Sequence, residues 1–176
     1  MTYQELMKFK IPAICIIFGL QGSGKTTISN KLKLSLKKRG LKKIKVIDGD
    51  YFRNIIKNYK YDSKSRKYVG EKKYQYALKY YRRKYFVIIS SVTGMPSIQL
   101  KFPKPKKINF FKIHLYCSRK DRLKRLKRNK PDLLEKLKKQ KIYFNKKNCD
   151  IKVNTSKHNI NKTIKKIENF WSYEKL

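Results

Sequence analysis

A chain of 176 residues, 40% hydrophobic and 13% aromatic, is too rich in core-forming side chains to be disordered, and its length fits one domain spanning 1–176. Its charge is extreme, 48 Lys+Arg against 11 Asp+Glu for a formal +37. The lysines run evenly from Lys8 to Lys175, which excludes a basic tail on a neutral body and favours compositional bias over a dedicated nucleic-acid surface. Non-specific nucleic-acid binding follows from the charge alone.

Lys8 and Lys10 followed by "IPAICIIFGL" mimic a secretory signal. The apolar run is too short to span a membrane, and it leads into "QGSGKTT" instead of a small-residue cleavage site. A cytoplasmic protein without a membrane segment is expected. "AICIIF" (13–18) reads as a buried strand, and "KTTISNKLKLSLKKRG" (25–40) as a helix closing on Gly40. "IKVID" (44–48) is the second strand candidate, followed by helix candidates "YFRNIIKNY" (51–59) and "KYVGEKKYQYALKYYRRK" (67–84). The aromatics of the latter, at helical spacing, read as a core face with snorkelling lysines. "YFVIISS" (85–91) is a strand, and "TGMPSIQLKFPKPKKIN" (93–109), with three of the five prolines, a loop. "FFKIHLY" (110–116), "RKDRLKRLKR" (119–128), "DIKVN" (150–154) and "NINKTIKKIENFW" (159–171) read as strand, helix, strand and helix. Nearly continuous apolar strands alternating with helices predict an α/β fold: a parallel five-stranded sheet with helices on both faces. Cys15, Cys117 and Cys149 are odd in number and form no C-x-x-C, so neither a zinc site nor a disulfide framework is indicated.

Gly19-Leu20-Gln21-Gly22-Ser23-Gly24-Lys25-Thr26 fits G-x-x-x-x-G-K-[ST], between a strand and a helix. The glycines let successive N–H groups turn inward onto phosphate oxygens. Lys25 brings a mobile charge to the β- and γ-phosphates, and the Thr26 hydroxyl is a Mg²⁺ ligand. The following helix aims its positive end at the same anion. Residues Gly19 to Thr27 are therefore expected to bind ATP·Mg²⁺, which makes the expected fold a P-loop NTPase three-layer sandwich. "VIDGDYFRNII" places Asp48, Gly49, Asp50 and Arg53 at the end of the second strand, the ligand-binding edge of a parallel sheet. Asp48 is expected to support the metal, and Asp50 to act as a base or metal-site carboxylate. Arg53 can form a bidentate pair with an anionic acceptor. The plainer reading of the same residues is an Asp N-cap with a solvated arginine.

The stretch "GLQGSGKTTISNKL…LKKRG…KVIDGDYFRNII" resembles the adenylylsulfate kinase family, which phosphorylates the 3′-hydroxyl of adenosine 5′-phosphosulfate (APS) with ATP. The resemblance implies acceptor-side roles for Asp50 and Arg53. It also puts Arg66 at the place of a substrate-binding arginine and Thr93 at that of a characteristic serine. There are departures: Val69 stands for an asparagine, Thr93-Gly94-Met95 for Ser-Pro-Tyr, and the Asp-x-Lys-Gly-Leu-Tyr and Phe-Thr-Gly-Ile stretches are missing. In their region lie Arg119, Arg122, Arg125 and Arg128 at helical spacing. Arg125 and Arg128 are candidate lid residues that close on the γ-phosphate. The function expected is phosphoryl transfer to a hydroxyl of an anionic nucleotide-like molecule, with APS the first choice. The rivals are a kinase of a surface-polysaccharide or nucleotide-sugar pathway, a polynucleotide 5′-kinase, and a nucleotide-regulated RNA-binding protein without turnover. A homodimer is left open.

Overall fold

The computed structural model describes residues 13–60, 62–92, 108–129 and 149–173. Five strands form one sheet: β1 (Ala13–Phe18), β2 (Ile44–Ile47), β3 (Phe86–Ser91), β4 (Asn109–Tyr116) and β5 (Ile151–Asn154). Their order is β2-β3-β1-β4-β5, and every pairing is parallel. All six residues of β1 are buried, as befits a central strand covered on both faces. Among the described residues five helices accompany the strands, two of them between β2 and β3: α1 (Lys25–Lys38), α2 (Gly49–Ile55), α3 (Ser63–Arg82), α4 (Arg119–Asn129) and α5 (Ile160–Tyr173).

The two-residue period of β1 divides the core in two. Ala13, Cys15 and Ile17 share a cluster with Ile28, Leu32 and Leu36 of α1 and Ile164, Ile167 and Trp171 of α5. Ile14, Ile16 and Phe18 face the other way, toward Phe52 of α2 and Val69, Tyr74 and Ala77 of α3. The result is the three-layer arrangement that the apolar runs predict. Glu168 ties α5 to α1: its Oε1 accepts from the Ser35 hydroxyl at 2.7 Å and its Oε2 pairs with Arg39 at 2.6 Å. The first helix closes as expected. Gly40 takes φ 92°, its N–H reaches Lys37 O at 2.9 Å, and Leu41 N–H reaches Leu36 O at 3.1 Å.

Two helix starts differ from expectation. Helices α2 and α3 begin two and four residues before the expected 51 and 67. Asp48 and Asp62 cap them, each accepting from the first turn, and so pull the start toward themselves. The expected proline-rich loop lies outside the described residues as far as 107, and Asn109 already opens β4. No helix among the described residues is long and apolar enough to cross a membrane.

Candidate functional site

In a parallel sheet all strands end on one edge, and the loops there share one surface. The glycine loop leaves β1 at the middle of that edge. Gly19 passes so close to β4 that an added Cβ would lie 2.0 Å from the Leu115 carbonyl oxygen. At Gly22 a Cβ would come within 2.6 Å of Arg122 Cγ and 2.9 Å of the Arg122 carbonyl oxygen. These two positions can only be glycine while the loop stays pressed against β4 and α4. Gly24 occupies the N-cap of α1 without a side-chain cap, so the first turn's N–H groups are not spent on one. Lys25 folds back over the loop, its Nζ donating to Leu20 O at 2.9 Å.

The loop is braced from the β4–β5 side. Arg125 Nη1 donates to Gly22 O at 3.3 Å and to Thr155 Oγ1 at 2.9 Å, and its Nη2 to Thr155 O at 2.7 Å. The Thr155 hydroxyl in turn donates to Ser23 O at 3.0 Å. Arg125, expected over the γ-phosphate, is in this structure bound beneath the loop, because the register of α4 turns it toward the Gly22 and Thr155 carbonyls. Arg128 is exposed farther along α4. A cavity of about 300 Å³ opens on the same side, lined by Leu20, Ser23, His114, Tyr116, Arg122 and Lys152 among others.

On the β2–β3 side, Asp48 has two partners. Its Oδ1 accepts from Asp50 N–H at 3.0 Å and Tyr51 N–H at 3.4 Å, capping α2. Its Oδ2 accepts from the Thr26 hydroxyl at 2.8 Å. The capping and functional readings therefore hold together: one carboxylate oxygen fixes the helix and the other faces the donor loop. Asp50 is exposed in the first turn of α2.

Arg53 is only 7% exposed. Its Nη1 donates to Lys60 O at 2.6 Å and Asn58 O at 3.1 Å, strapping the connection between α2 and α3. An acceptor anion would have to compete with those carbonyls for it. Arg66 is exposed in the first turn of α3, and Thr93 lies outside the described residues.

One residue of this edge is absent from the expectations. Lys73 is 5% exposed, and its Nζ donates to Ser90 O at 3.3 Å. A Cβ on Gly49 would sit 3.5 Å from the same nitrogen. Burial pulls the ammonium down to about 8; the Asp48 carboxylate opposes that shift, the Arg53 charge adds to it and Asp50 opposes it again. Composition could not single out one lysine in so basic a chain. Helical register could have done so, since Val69, Gly70, Lys73, Tyr74 and Ala77 form one buried stripe.

The profile of the adenylylsulphate kinase family matches residues 12–146. The chain belongs to the adenylylsulfate kinase family. Kinases are among the proteins it is similar to. A cytidine diphosphoramidate kinase of Campylobacter jejuni is 29% identical over 114 residues, 65% of this chain and 66% of that one. The alignment thus spans just under two thirds of that relative's length. The structure of the Mycobacterium tuberculosis APS kinase in complex with AMPPNP and APS superposes with a TM-score of 0.76 at 15% identity, over 91% of this chain and 97% of that one. A gluconokinase from Sinorhizobium meliloti superposes with a TM-score of 0.63 at 13% identity, over 92% and 93% of the two chains. At such identities the two structures establish the shared P-loop kinase fold and leave the acceptor open.

Proposed function

We propose that this kinase transfers the γ-phosphoryl group of ATP to a hydroxyl of an anionic nucleotide-like small molecule, with APS as the first candidate. The observation that carries the reading is the 2.8 Å bond between Thr26 and Asp48. It joins the donor loop to the Asp-Gly-Asp corner, beyond which Lys73, Arg53 and Arg66 supply positive charge. On this reading the triphosphate lies in the glycine loop and the nucleoside of ATP on the β4–β5 side, by the cavity. The acceptor enters from the β2–β3 side.

The residues present fit Mg²⁺, since a hydroxyl and a carboxylate oxygen already adjoin at the loop and hard oxygen donors suit this ion. Thr26 and Asp48 would hold it, and when bound it neutralises charge on the β- and γ-phosphate oxygens. Lys25 stabilises the charge that spreads over the transferring group. Asp50, exposed on the acceptor side, takes the proton of the attacking hydroxyl as the new P–O bond forms and ADP leaves. Arg66 holds an anion of the acceptor. Arg53 joins it by exchanging its carbonyl partners, and Thr93 keeps the acceptor-side role that the family resemblance implies. A lid role falls to Arg128, or to Arg125 if it leaves its brace.

A second reading keeps the chemistry and changes the acceptor to a cytidine nucleotide derivative. The similarity to the cytidine diphosphoramidate kinase favours it. A coupled ADP-release assay across APS, cytidine diphosphate derivatives and oligonucleotides tests both. Transfer to APS or to a cytidine derivative is expected. Turnover with oligonucleotides alone, or with none of the panel, overturns the proposal.

A further inference from the structure

Lys73 stands where the donor machinery has no use for it. Helix α3 is joined to β3 through residues 83–85 and runs back along it. Lys73 is about 14 Å from the end of α3 at 1.5 Å per residue. Ser90 is about 13 Å into β3 at roughly 3.3 Å per residue. The two therefore lie level, and their bond of 3.3 Å confirms it. The preceding part of α3, from Ser63 to Lys72, continues for about 15 Å past that level, beyond the sheet edge. At the level of Lys73 it meets the Asp-Gly-Asp corner, where a Cβ on Gly49 would sit 3.5 Å from the Lys73 ammonium. Arg66 is on the same stripe two turns farther out, about 10 Å away along the helix axis.

An ammonium carries three donors. Among the described residues the Lys73 ammonium makes one hydrogen bond, to Ser90 O, although it is 5% exposed. A buried charge with unused donors is unfavourable unless something else takes them. Tyr74 and Ala77, its neighbours on the stripe, are core residues, so the chain could have placed an apolar side chain here without changing the helix. The adjoining corner already carries the two carboxylates and the link to the donor loop.

We propose that Lys73 is an acceptor-contacting residue: from beside Gly49 and Ser90 its ammonium donates to an anionic oxygen of the nucleotide-like acceptor. Arg66 then meets the outer part of the same molecule: the two residues are about 10 Å apart along the helix axis, a spacing that suits an extended nucleotide-like acceptor. This assignment rests on the phosphoryl-transfer reading above. It adds a determinant for the charge of the acceptor.

The test compares wild type with Lys73→Met, using whichever of APS or the cytidine diphosphate derivatives the wild type phosphorylates. Two rates are read, transfer to that acceptor and slow ATP hydrolysis with water as acceptor. Lys73→Met is expected to raise the acceptor KM by about ten- to a hundredfold. The ATP KM and the hydrolysis rate should stay within about twofold, and Lys73→Arg should recover part of the loss. Melting curves with and without ATP check the fold. If the Met variant melts early, Lys73→Gln, neutral but able to keep the Ser90 bond, repeats the comparison. An unchanged acceptor KM overturns the proposal. So does an equal loss of transfer and hydrolysis, which would make Lys73 a counter-ion of the Asp48 corner. Wild-type failure with every acceptor instead overturns the functional reading, and this inference with it.

Discussion

The two halves of the ligand edge are built from different material. The donor half is backbone: glycines pressed against Leu115 and Arg122, and loop carbonyls held by Arg125 and Thr155. The half proposed for the acceptor is side chain: Asp50, Arg53, Arg66 and Lys73, carried on two helices, with Arg53 and Lys73 bonded to carbonyls. The difference has a physical reason. A triphosphate is the same molecule in every kinase, so fixed N–H groups can bind it at little reorganisation cost. An acceptor varies, and side chains can be exchanged at the end of a helix without disturbing the sheet.

Substitutions can break this division or sharpen it. The largest effect is expected at Lys25, on the donor side. Lys25→Ala should lower the ATP-dependent rate on the order of 10²-fold or more while leaving the melting temperature nearly unchanged. A variant keeping above about a tenth of the rate in an ADP-release assay would show that the charge on the loop is not what drives transfer.

Arg53→Ala comes next, and it separates acceptor binding from strapping. The acceptor KM should rise on the order of tenfold or more and the ATP KM stay put. Because Arg53 also holds the Asn58 and Lys60 carbonyls, the melting temperature should fall as well. A lower melting temperature with an unchanged acceptor KM would reduce Arg53 to a strap.

Thr155→Val probes the brace alone. It removes the hydroxyl that links Arg125 to Ser23 O, a loss of about 1 kcal/mol. The ATP KM should rise roughly fivefold, with acceptor KM unmoved. Steady-state kinetics in which the acceptor KM moves instead would break the division at its donor side.

The smallest effect serves as a control away from both halves. Lys84 closes α3 at φ 65°, the place that Gly40 fills in α1. Lys84→Gly should stabilise the fold by ~0.5–1 kcal/mol in denaturant unfolding, with both KM values unchanged. A loss of stability would mean that the Lys84 side chain supports the turn.

How much of this was legible varies from place to place. All five strands were readable to within a residue at either end: the inner strands β1, β3 and β4 are nearly continuous apolar runs, and the partly buried edge strands β2 and β5 still carry β-branched residues. The glycine loop was readable because only glycine tolerates such close approaches, and Asp48 with Thr26 because one follows β2 and the other opens the helix after the loop that leaves β1, two places on the edge where a parallel sheet brings strand ends together. The starts of α2 and α3 lie earlier than the apolar pattern places them because Asp48 and Asp62, not the first apolar residues, cap the helices. Lys73 went unread because its meaning depends on what it faces across 17 residues of chain.

The amino-acid sequence by itself determined the layered fold, the phosphate loop and the acidic corner, since each depends on local pattern: apolar period, glycine spacing, and position after a strand. Only the tertiary structure decided what the long cationic side chains do. A lysine or arginine can reach several angstroms in any direction, so its partner is set by how helices settle on the sheet. That settling put Arg125 under the loop, wrapped Arg53 in carbonyls and left Lys73 buried beside two carboxylates.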